Sequence, residues 1–380
     1  MRITSARLYP LEVPMSRPIK MAGETLTHAH TLLLRLTDEA GREGWGEASA
    51  APLMTGETLA SIAASTEYLV TKLLGQSVAE AAAISPLQEA CLYGNPSAKS
   101  CVETALMDLL AQRAGLPLYQ MLAGAEMASA TRRIDMLHML ASGEVEAEIE
   151  EAMALRRQGY RQWKIKVGAG DSASDLQRIQ RLCALLEGDV VSADANQALS
   201  VLAASALAQA GASSGLAFLE QPYRVGMMAE MVALHRVSGL DLCADESIHA
   251  LHDIVEHGAA GAAQGASLKL IKLGGTQALV QAGRLCLARG MKVNLACKVA
   301  ETTISAAATA HAGFALREVA WGFSMSNRYL ANDVCAQPLT PIDGAVFASQ
   351  LSLPGLGFAP EAERLREFAS AALPVKEFSV

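Results

Sequence analysis

Hydrophobic and polar residues alternate with a period of two at the start of the chain, over Arg2 to Leu11, His30 to Asp38 and Gly41 to Ser49. The segment DEAGREG, Asp38 to Gly44, suits the turn of a hairpin, so this stretch is predicted to form two or three antiparallel strands. The period then becomes helical over Leu59 to Leu74, Ser85 to Leu92 and Ser97 to Ala114, the last stopped by Gly115 and Pro117. Strands followed by helices predict an α+β lobe.

From about Thr131 the pattern changes to short apolar strands alternating with amphipathic helices, the mark of βαβ units and a parallel sheet. Strand ends are read near Ser142, Lys166, Asp194, Glu220, Asp245, Lys269, Cys297 and Gly322. They recur roughly every 25 residues, a rhythm that predicts an α/β fold with an eight-stranded β/α barrel. The tail from Pro338 is turn-rich, with Asp343-Gly344 and Pro354 to Gly357, and is expected to pack back on the first lobe. The expected divisions are 1–125, 126–340 and 341–380.

Composition narrows the function classes. A formal net charge of −8 and a pI near 5.6 exclude the basic face that nucleic-acid binders carry. The seven cysteines have no C-x-x-C spacing and read as reduced cytoplasmic thiols. The N-terminus alternates like a strand and lacks the apolar core of a signal peptide, and no apolar run approaches a membrane span. With hydrophobic content of 51% and aromatic content of 4%, the core must rest on small aliphatic residues, a surplus that suggests contacts between identical subunits.

The chemistry stands where the barrel strands end, the face on which barrel enzymes keep their active sites. RQWKIKVG places Lys164 and Lys166 two apart, hence on one face of a strand. Two ammonium groups in one confined space should lower each other's pKa and make a neutral lysine available as a base. The next three strands end in acids: Asp194 with Asn196 in VVSADAN, Glu220 in LAFLEQP, and Asp245 with Glu246 in LCADES. Carboxylates converging from three adjacent strands would repel unless a cation sat among them, and hard oxygen donors imply Mg²⁺. The sixth strand supplies Lys269 and Lys272; only one is expected to share the interior with the acids, and spacing alone leaves the choice open. Lysines on the second and sixth strands would flank the acids and reach a planar enolate from both faces. The Gly274-Gly275 pair is a weak phosphate signal, and no phosphate-loop pattern occurs.

The succession KIK (Lys164 to Lys166), DAN (Asp194 to Asn196), EQP (Glu220 to Pro222), DES (Asp245 to Ser247) and K-x-x-K-x-G-G (Lys269 to Gly275) resembles the enolase superfamily, specifically its muconate lactonizing enzyme subgroup within the mandelate racemase/muconate lactonizing enzyme family. RPIKMA (Arg17 to Ala22), GWGEA (Gly44 to Ala48), GNPSAKS (Gly94 to Ser100) and PGLG (Pro354 to Gly357) extend the likeness beyond the barrel. The resemblance implies an α+β capping domain over a modified TIM barrel, (β/α)7β. It implies Asp194, Glu220 and Asp245 as Mg²⁺ ligands and Lys166 and Lys269 as the acid/base pair. Lys269 is preferred over Lys272 because the family's lysine stands five residues before the first glycine of the pair. Lys164 is implied as a cation beside the substrate carboxylate or enolate.

Specificity in this family resides in capping-domain loops, here Met15 to Leu26 and Ala50 to Glu57, and at the ends of the seventh and eighth strands. Glu301 occupies a position the family often fills with Glu, while Lys298 is unusual; with Asn196 these are the candidate substrate-binding residues. The eighth strand, VAWGF, has Gly322 and Ser324 where many dipeptide epimerases of the subgroup carry D-x-D. SMSNRYLANDV (Ser324 to Val334) resembles the N-succinylamino acid racemase and o-succinylbenzoate synthase branch, whereas GAGDSASDL and ADESIHALHD resemble muconate cycloisomerases. The expected activity is racemisation or epimerisation of an amino-acid derivative, a small-molecule carboxylate. The alternatives are a muconate-type cycloisomerase or dehydratase and, from another class, a catalytically dead barrel kept for binding. Among the histidines, His28, His30 and His138 read as structural.

Overall fold

The computed structural model describes residues 1–21, 24–128 and 130–380. The cap begins with three antiparallel strands, β1 (Ile3–Met21), β2 (Glu24–Asp38) and β3 (Glu43–Ser49). Its hairpin arms run further than the alternation suggested: β1 and β2 pair to Pro14↔His28, break at an irregularity, and resume from Ile19↔Leu26. Most of the segment read as the loop Met15 to Leu26 is therefore ladder, and its Ala22 and Gly23 lie outside the described residues. The Asp38 hairpin forms as expected, with Asp38 Oδ1 accepting from the N–H groups of Ala40 and Arg42.

Helices α1 (Leu59–Leu73), α2 (Ile84–Cys91), α3 (Pro96–Ala114) and α4 (Leu118–Ala123) complete the cap. Helix α3 is buried from Ser97 to Ala111 and packs directly on the backbone of β3. A Cβ at Gly44 or Gly46 would lie 2.3 Å from Ala105 O or 1.9 Å from Cys101 O, so only glycine permits this approach. The GWGEA motif is thus partly a packing requirement.

After a short strand β4 (Arg133–Asp135), eight parallel strands form the barrel: β5 (Leu137–Leu140), β6 (Gln162–Lys166), β7 (Val190–Asp194), β8 (Phe218–Glu220), β9 (Leu242–Ala244), β10 (Gly265–Leu268), β11 (Lys292–Ala296) and β12 (Phe323–Ser324). They neighbour one another in chain order, and a parallel bridge from Met136 to Phe323 brings the last strand back to the first. The helices between them are α5 (Val145–Arg156), α6 (Ser172–Leu185), α7 (Val201–Ser213), α8 (Met228–Ser238), α9 (Leu251–Ala260), the one-turn α10 (Leu270–Leu273) with α11 (Thr276–Ala288), and α12 (Thr303–Gly313). No α-helix directly follows β12, so the architecture is (β/α)7β with an N-terminal α+β domain. In the tail, β13 (Ala345–Phe347) pairs with β4, and after α13 (Ala362–Glu367) strand β14 (Lys376–Ser379) pairs with β1 of the cap.

Buried carboxylates join cap to barrel. Glu103 of α3 accepts from the N–H groups of Thr276 and Gln277 at the start of α11 and from the Thr276 hydroxyl. Glu47 of β3 does the same for α12, accepting from the N–H groups of Thr302 and Ser305 and the hydroxyls of Thr302 and Thr31. Each places an anion where a helix presents unpaired N–H groups. The Gly274-Gly275 pair now has an explanation other than phosphate: Gly275, at φ +138°, leaves room for the Glu103 carboxylate, 2.4 Å from where a Cβ would stand. Among the described residues, no helix is long and apolar enough to cross a membrane.

Candidate active site at the barrel mouth

Five neighbouring strands deliver the charged side chains. Strand β6 ends in Lys166, with Lys164 two residues earlier; β7 ends in Asp194 and β8 in Glu220; Asp245 directly follows β9 and Lys269 directly follows β10. The parallel register sets Lys166 beside Asp194 and Asp194 beside Glu220. Lys164, Asp194, Glu220, Asp245 and Lys269 are buried and Lys166 is half-buried.

The lysines sit among the acids as the balancing cations. Lys166 Nζ lies 2.6 Å from Asp194 Oδ2 and also donates to Asn196 Oδ1. Lys164 Nζ is 3.9 Å from that same Asp194 oxygen and 2.6 Å from Glu220 Oε2, where it forms an ion pair without hydrogen-bond geometry. Lys269 donates to Asp245 Oδ2. Lys272 donates to Asp245 Oδ1 at 2.7 Å, to Ser267 O at 3.0 Å and to the Asp245 carbonyl, which uses all three of its N–H groups.

Two expectations are corrected by this arrangement. The first held that only one of Lys269 and Lys272 shares the interior; both reach Asp245, because the turn of α10 brings residues three apart onto one side. The second held that paired lysines lower each other's pKa. Burial does oppose the charge of Lys164, but Glu220 and Asp194 outweigh it and hold that ammonium above the usual lysine range. Burial likewise opposes the charge of Lys269, and Asp245, Glu246 and Glu220 again raise it. Lys272 is the exception, lowered by burial. For the acids, burial pushes Glu220 up to about 7 against the pull of Lys164, whereas Lys269 and Lys272 overcome burial and hold Asp245 well below the carboxylate range.

The backbone is strained at this mouth. Asn196 and Gln197 after β7, Gln221 after β8 and Ala300 after β11 have φ of +40°, +68°, +36° and +69°. Such conformations persist in non-glycine residues where the surroundings over-determine them, and they cluster at functional sites. Gln221 shows the over-determination: its Oε1 accepts from the N–H groups of Asp245 and Ser247, tying β8 to the acid of the next strand.

Two cavities meet here. An inner one of about 60 Å³ is lined by Lys164, Lys166, Asp194, Glu220, Asp245 and Lys269 on one arc, and on the other by Leu137, Met139, Cys297, Met325 and Tyr329. An outer one of about 350 Å³ lies between barrel and cap, where Ala50 to Met54 contribute as the loop expectation required. Asn196 and Lys298 line both. Glu301 lines neither: it is buried behind the loop after β11, its Oε2 accepting from Lys298 N–H and its Oε1 from no group, and burial pushes it up to about 8. His138 points away from the inner cavity, between Glu151 at 2.9 Å and Arg328 at 3.0 Å. Glu246, quoted in DES but given no role, lines the outer cavity and accepts from Asn196 Nδ2; its place after a ligand-candidate acid was the available signal. Leu137 and Met139 were missed, although the alternation of LHML puts them opposite His138.

Whether these residues suit a metal rests on their donors. All three acids are buried oxygen donors, the donor type that fits a hard divalent cation. Each of the three carboxylates is paired with a lysine ammonium, and among the described residues no three His, Cys, Asp or Glu side chains are gathered for a metal ion.

Comparison with known proteins agrees with this geometry. Residues 4–123 match the mandelate racemase / muconate lactonizing enzyme N-terminal domain, and residues 145–364 match the enolase C-terminal domain-like family. The chain is 30% identical to muconate cycloisomerase 1 of Rhodococcus opacus over 361 residues, 93% of this chain and 95% of that one. It is also 30% identical to L-Ala-D/L-Glu epimerase of Bacillus subtilis (strain 168) over 325 residues, 84% and 87% of the two chains. The crystal structure of muconate lactonizing enzyme from Pseudomonas fluorescens complexed with muconolactone superposes with a TM-score of 0.89 at 30% identity, covering 97% of this chain and 99% of that one. The chain therefore belongs to the enolase superfamily, in its muconate lactonizing enzyme subgroup, and is an isomerase of a family whose members generally use a divalent metal.

Proposed function

We propose that the barrel mouth removes the proton α to the carboxylate of a small-molecule substrate and returns one to the resulting enolate, racemising or epimerising an amino-acid derivative. The observation that carries this is the placement of Lys166 and Lys269 at the ends of β6 and β10, on either side of the three strands that bear the acids. One neutral lysine takes the α-proton from its face of the substrate, and the ammonium on the other side delivers a proton to the opposite face. Lys164, deepest of the three and paired with Glu220, supplies a fixed positive charge beside the substrate carboxylate. Asp194, Glu220 and Asp245 would hold Mg²⁺, which when bound supplies charge against the second negative charge of the enolate. Lys272 keeps Asp245 paired while Lys269 turns toward substrate, so that motion leaves no buried carboxylate bare. Residues 1–125 act as the cap over the barrel of 126–340, with 341–380 returning to the cap. The seven free thiols, six of them buried, support a cytoplasmic setting.

The test is deuterium uptake in D₂O with Mg²⁺ across N-acyl amino acids, dipeptides, proline derivatives, muconate and sugar acids. Uptake at the α-carbon of recovered substrate, with inversion, and its loss in Lys166→Ala and Lys269→Ala, is the expected result. A cycloisomerase or dehydratase is the second reading, favoured by the likeness to muconate cycloisomerase 1. It is supported instead if product forms while recovered substrate stays unlabelled and uninverted.

A further inference from the structure

One group of buried charges takes no part in the proposed proton transfer. Glu148 of α5 and Asp175 and Arg178 of α6 lie against one another, all three buried. Arg178 Nε and Nη2 donate to Glu148 Oε2 at 2.9 Å and Oε1 at 2.6 Å, a two-pronged pair, and its Nη1 donates to Asp175 Oδ1 at 2.8 Å. Each acid then spends an oxygen on a loop at the barrel mouth. Glu148 Oε1 accepts from Gly143 N–H at 3.1 Å in the loop after β5, and Asp175 Oδ2 accepts from Gly168 N–H at 2.8 Å in the loop after β6.

Stability alone explains such a group poorly. Desolvation of the three charges offsets most of their attraction, and apolar side chains of similar volume would join the two helices as well. A first-turn acid ordinarily serves its own helix, but here Asp171 caps α6, accepting from Ser174 N–H at 3.2 Å, and both oxygens of Asp175 are used elsewhere. What Asp175 holds stands two residues beyond Lys166. Val167 N–H donates to Asp194 O at 3.0 Å, Gly168 turns the chain at φ +85°, and a Cβ there would lie 3.0 Å from the Cβ of Ala198. Ala198 belongs to the loop after β7 that carries Asn196, which accepts a hydrogen bond from Lys166. At Gly168, therefore, the strand end that carries Lys166 and the loop that holds its ammonium are set against each other.

We infer that Asp175, held by Arg178 and Glu148, is the positioning residue for Lys166: it fixes Gly168 and with it the direction from which the Lys166 ammonium meets the substrate. This rests on the proposed α-proton chemistry of the same site. Asp175 lines neither cavity, and it acts on one lysine only. Lys269 stands across the mouth after β10, a strand to which none of these hydrogen bonds runs. Loss of Asp175 therefore has a signature that a loss of stability lacks: proton transfer on the Lys166 face falls while transfer on the Lys269 face continues.

The experiment uses full-length protein with Mg²⁺ in D₂O and N-acyl amino acids, dipeptides and proline derivatives supplied as separate α-epimers, with early deuterium uptake measured for each. Lys166→Ala assigns the epimer whose α-proton faces Lys166. Asp175→Ala leaves the two-pronged Glu148–Arg178 pair intact and should fold. It should slow uptake in that epimer by about 10- to 100-fold, the scale of a misplacement of about 1 Å, and leave the other epimer near the wild-type rate. Asp175→Asn, which keeps the side-chain volume, should show the same skew to a smaller degree and serves if the alanine variant does not fold. A readout without substrate runs beside it, acetic anhydride treatment followed by peptide mass spectrometry. There Asp175→Ala should raise acetylation of Lys166 relative to Lys269, because a lysine no longer resting on Asp194 and Asn196 is open to reagent. If both epimers slow equally, or neither slows, the inference falls while the α-proton reading stands. If the wild type with Mg²⁺ bound takes up deuterium into none of these compounds, the α-proton reading falls; a raised acetylation ratio then still supports Asp175 as the residue that places Lys166, and an unchanged ratio overturns that as well.

Discussion

Buried carboxylates are used in two ways in this molecule. In the seams that the cap makes with the barrel and with the C-terminal tail, Glu47, Glu103 and Asp108 each spend both oxygens on backbone N–H groups and neutral side chains. At the mouth, Asp194, Glu220 and Asp245 face ammonium groups, and Glu246 Oε2 accepts no hydrogen bond. Helix N–H groups are fixed in place, so an acid paired with them is committed to the fold. An ammonium at the end of a flexible stem can withdraw and be replaced by another cation or by substrate. The seam is therefore closed chemically, while the mouth retains the capacity to bind.

The largest expected effect lies at the mouth. Lys166→Ala and Lys269→Ala should each slow α-deuterium exchange by about a thousand-fold, the scale of a positioned acid or base, with a loss of unfolding free energy of about 2 kcal/mol or less, because Asp194 keeps Lys164 and Asp245 keeps Lys272. In the seam the pattern reverses: Glu103→Ala strips the start of α11 and should cost about 3 kcal/mol in urea unfolding, while the folded fraction keeps its exchange rate. Lys272→Met sharpens the boundary, because this lysine sits at the mouth yet has every donor committed. It should cost about 2 kcal/mol, since Asp245 keeps Lys269. A Lys272→Met protein that lost exchange as completely as Lys269→Ala at full stability would place Lys272 in the chemistry and break the distinction.

The mouth was more legible in the sequence than the seam. The barrel rhythm and the acids and lysines that close its strands can be read because each strand end carries its polar residue at a regular interval, and register then brings them together. Pairing across the mouth cannot be read that way. Lys272 joins Asp245 through the helical turn after β10, which the strand pattern hides. The sign of the lysine shifts depends on how many carboxylates come within reach, a three-dimensional quantity. Seam acids such as Glu103 look in sequence like ordinary polar positions of a helix, and their partners lie far along the chain: Glu103 with Thr276, Glu47 with Thr302. Gly275 carried a trace of that contact, but a glycine pair before a helix reads equally as a phosphate loop.

The smallest effect probes the seam through pH. Asp108 Oδ1 accepts from Leu356 N–H at 2.9 Å, and His311 Nε2 donates to Leu356 O at 3.1 Å while its Nδ1 accepts from Tyr119 N–H at 3.0 Å. Burial pushes Asp108 up to about 6 and His311 down to about 4. The histidine, with a folded pKa below its usual 6.5, contributes stability that is present above 6.5 and lost as pH falls through about 4. The aspartate, with a folded pKa above its usual 3.8, contributes stability that is present below 3.8 and lost as pH rises through about 6. Between pH 7 and pH 5 the two oppose each other: His311 removes about 2 kcal/mol and Asp108 returns about 1 kcal/mol. Asp108→Asn cancels only the return, so urea unfolding of that variant at the two pH values should show a loss about 1 kcal/mol larger than in the wild type. Equal losses would mean that Asp108 stays charged in the folded protein, with its N–H partners making up for burial. A seam acid would then hold its charge through fixed dipoles as fully as Asp245 does through two lysines, and the two regions would differ only in whether the partner can leave.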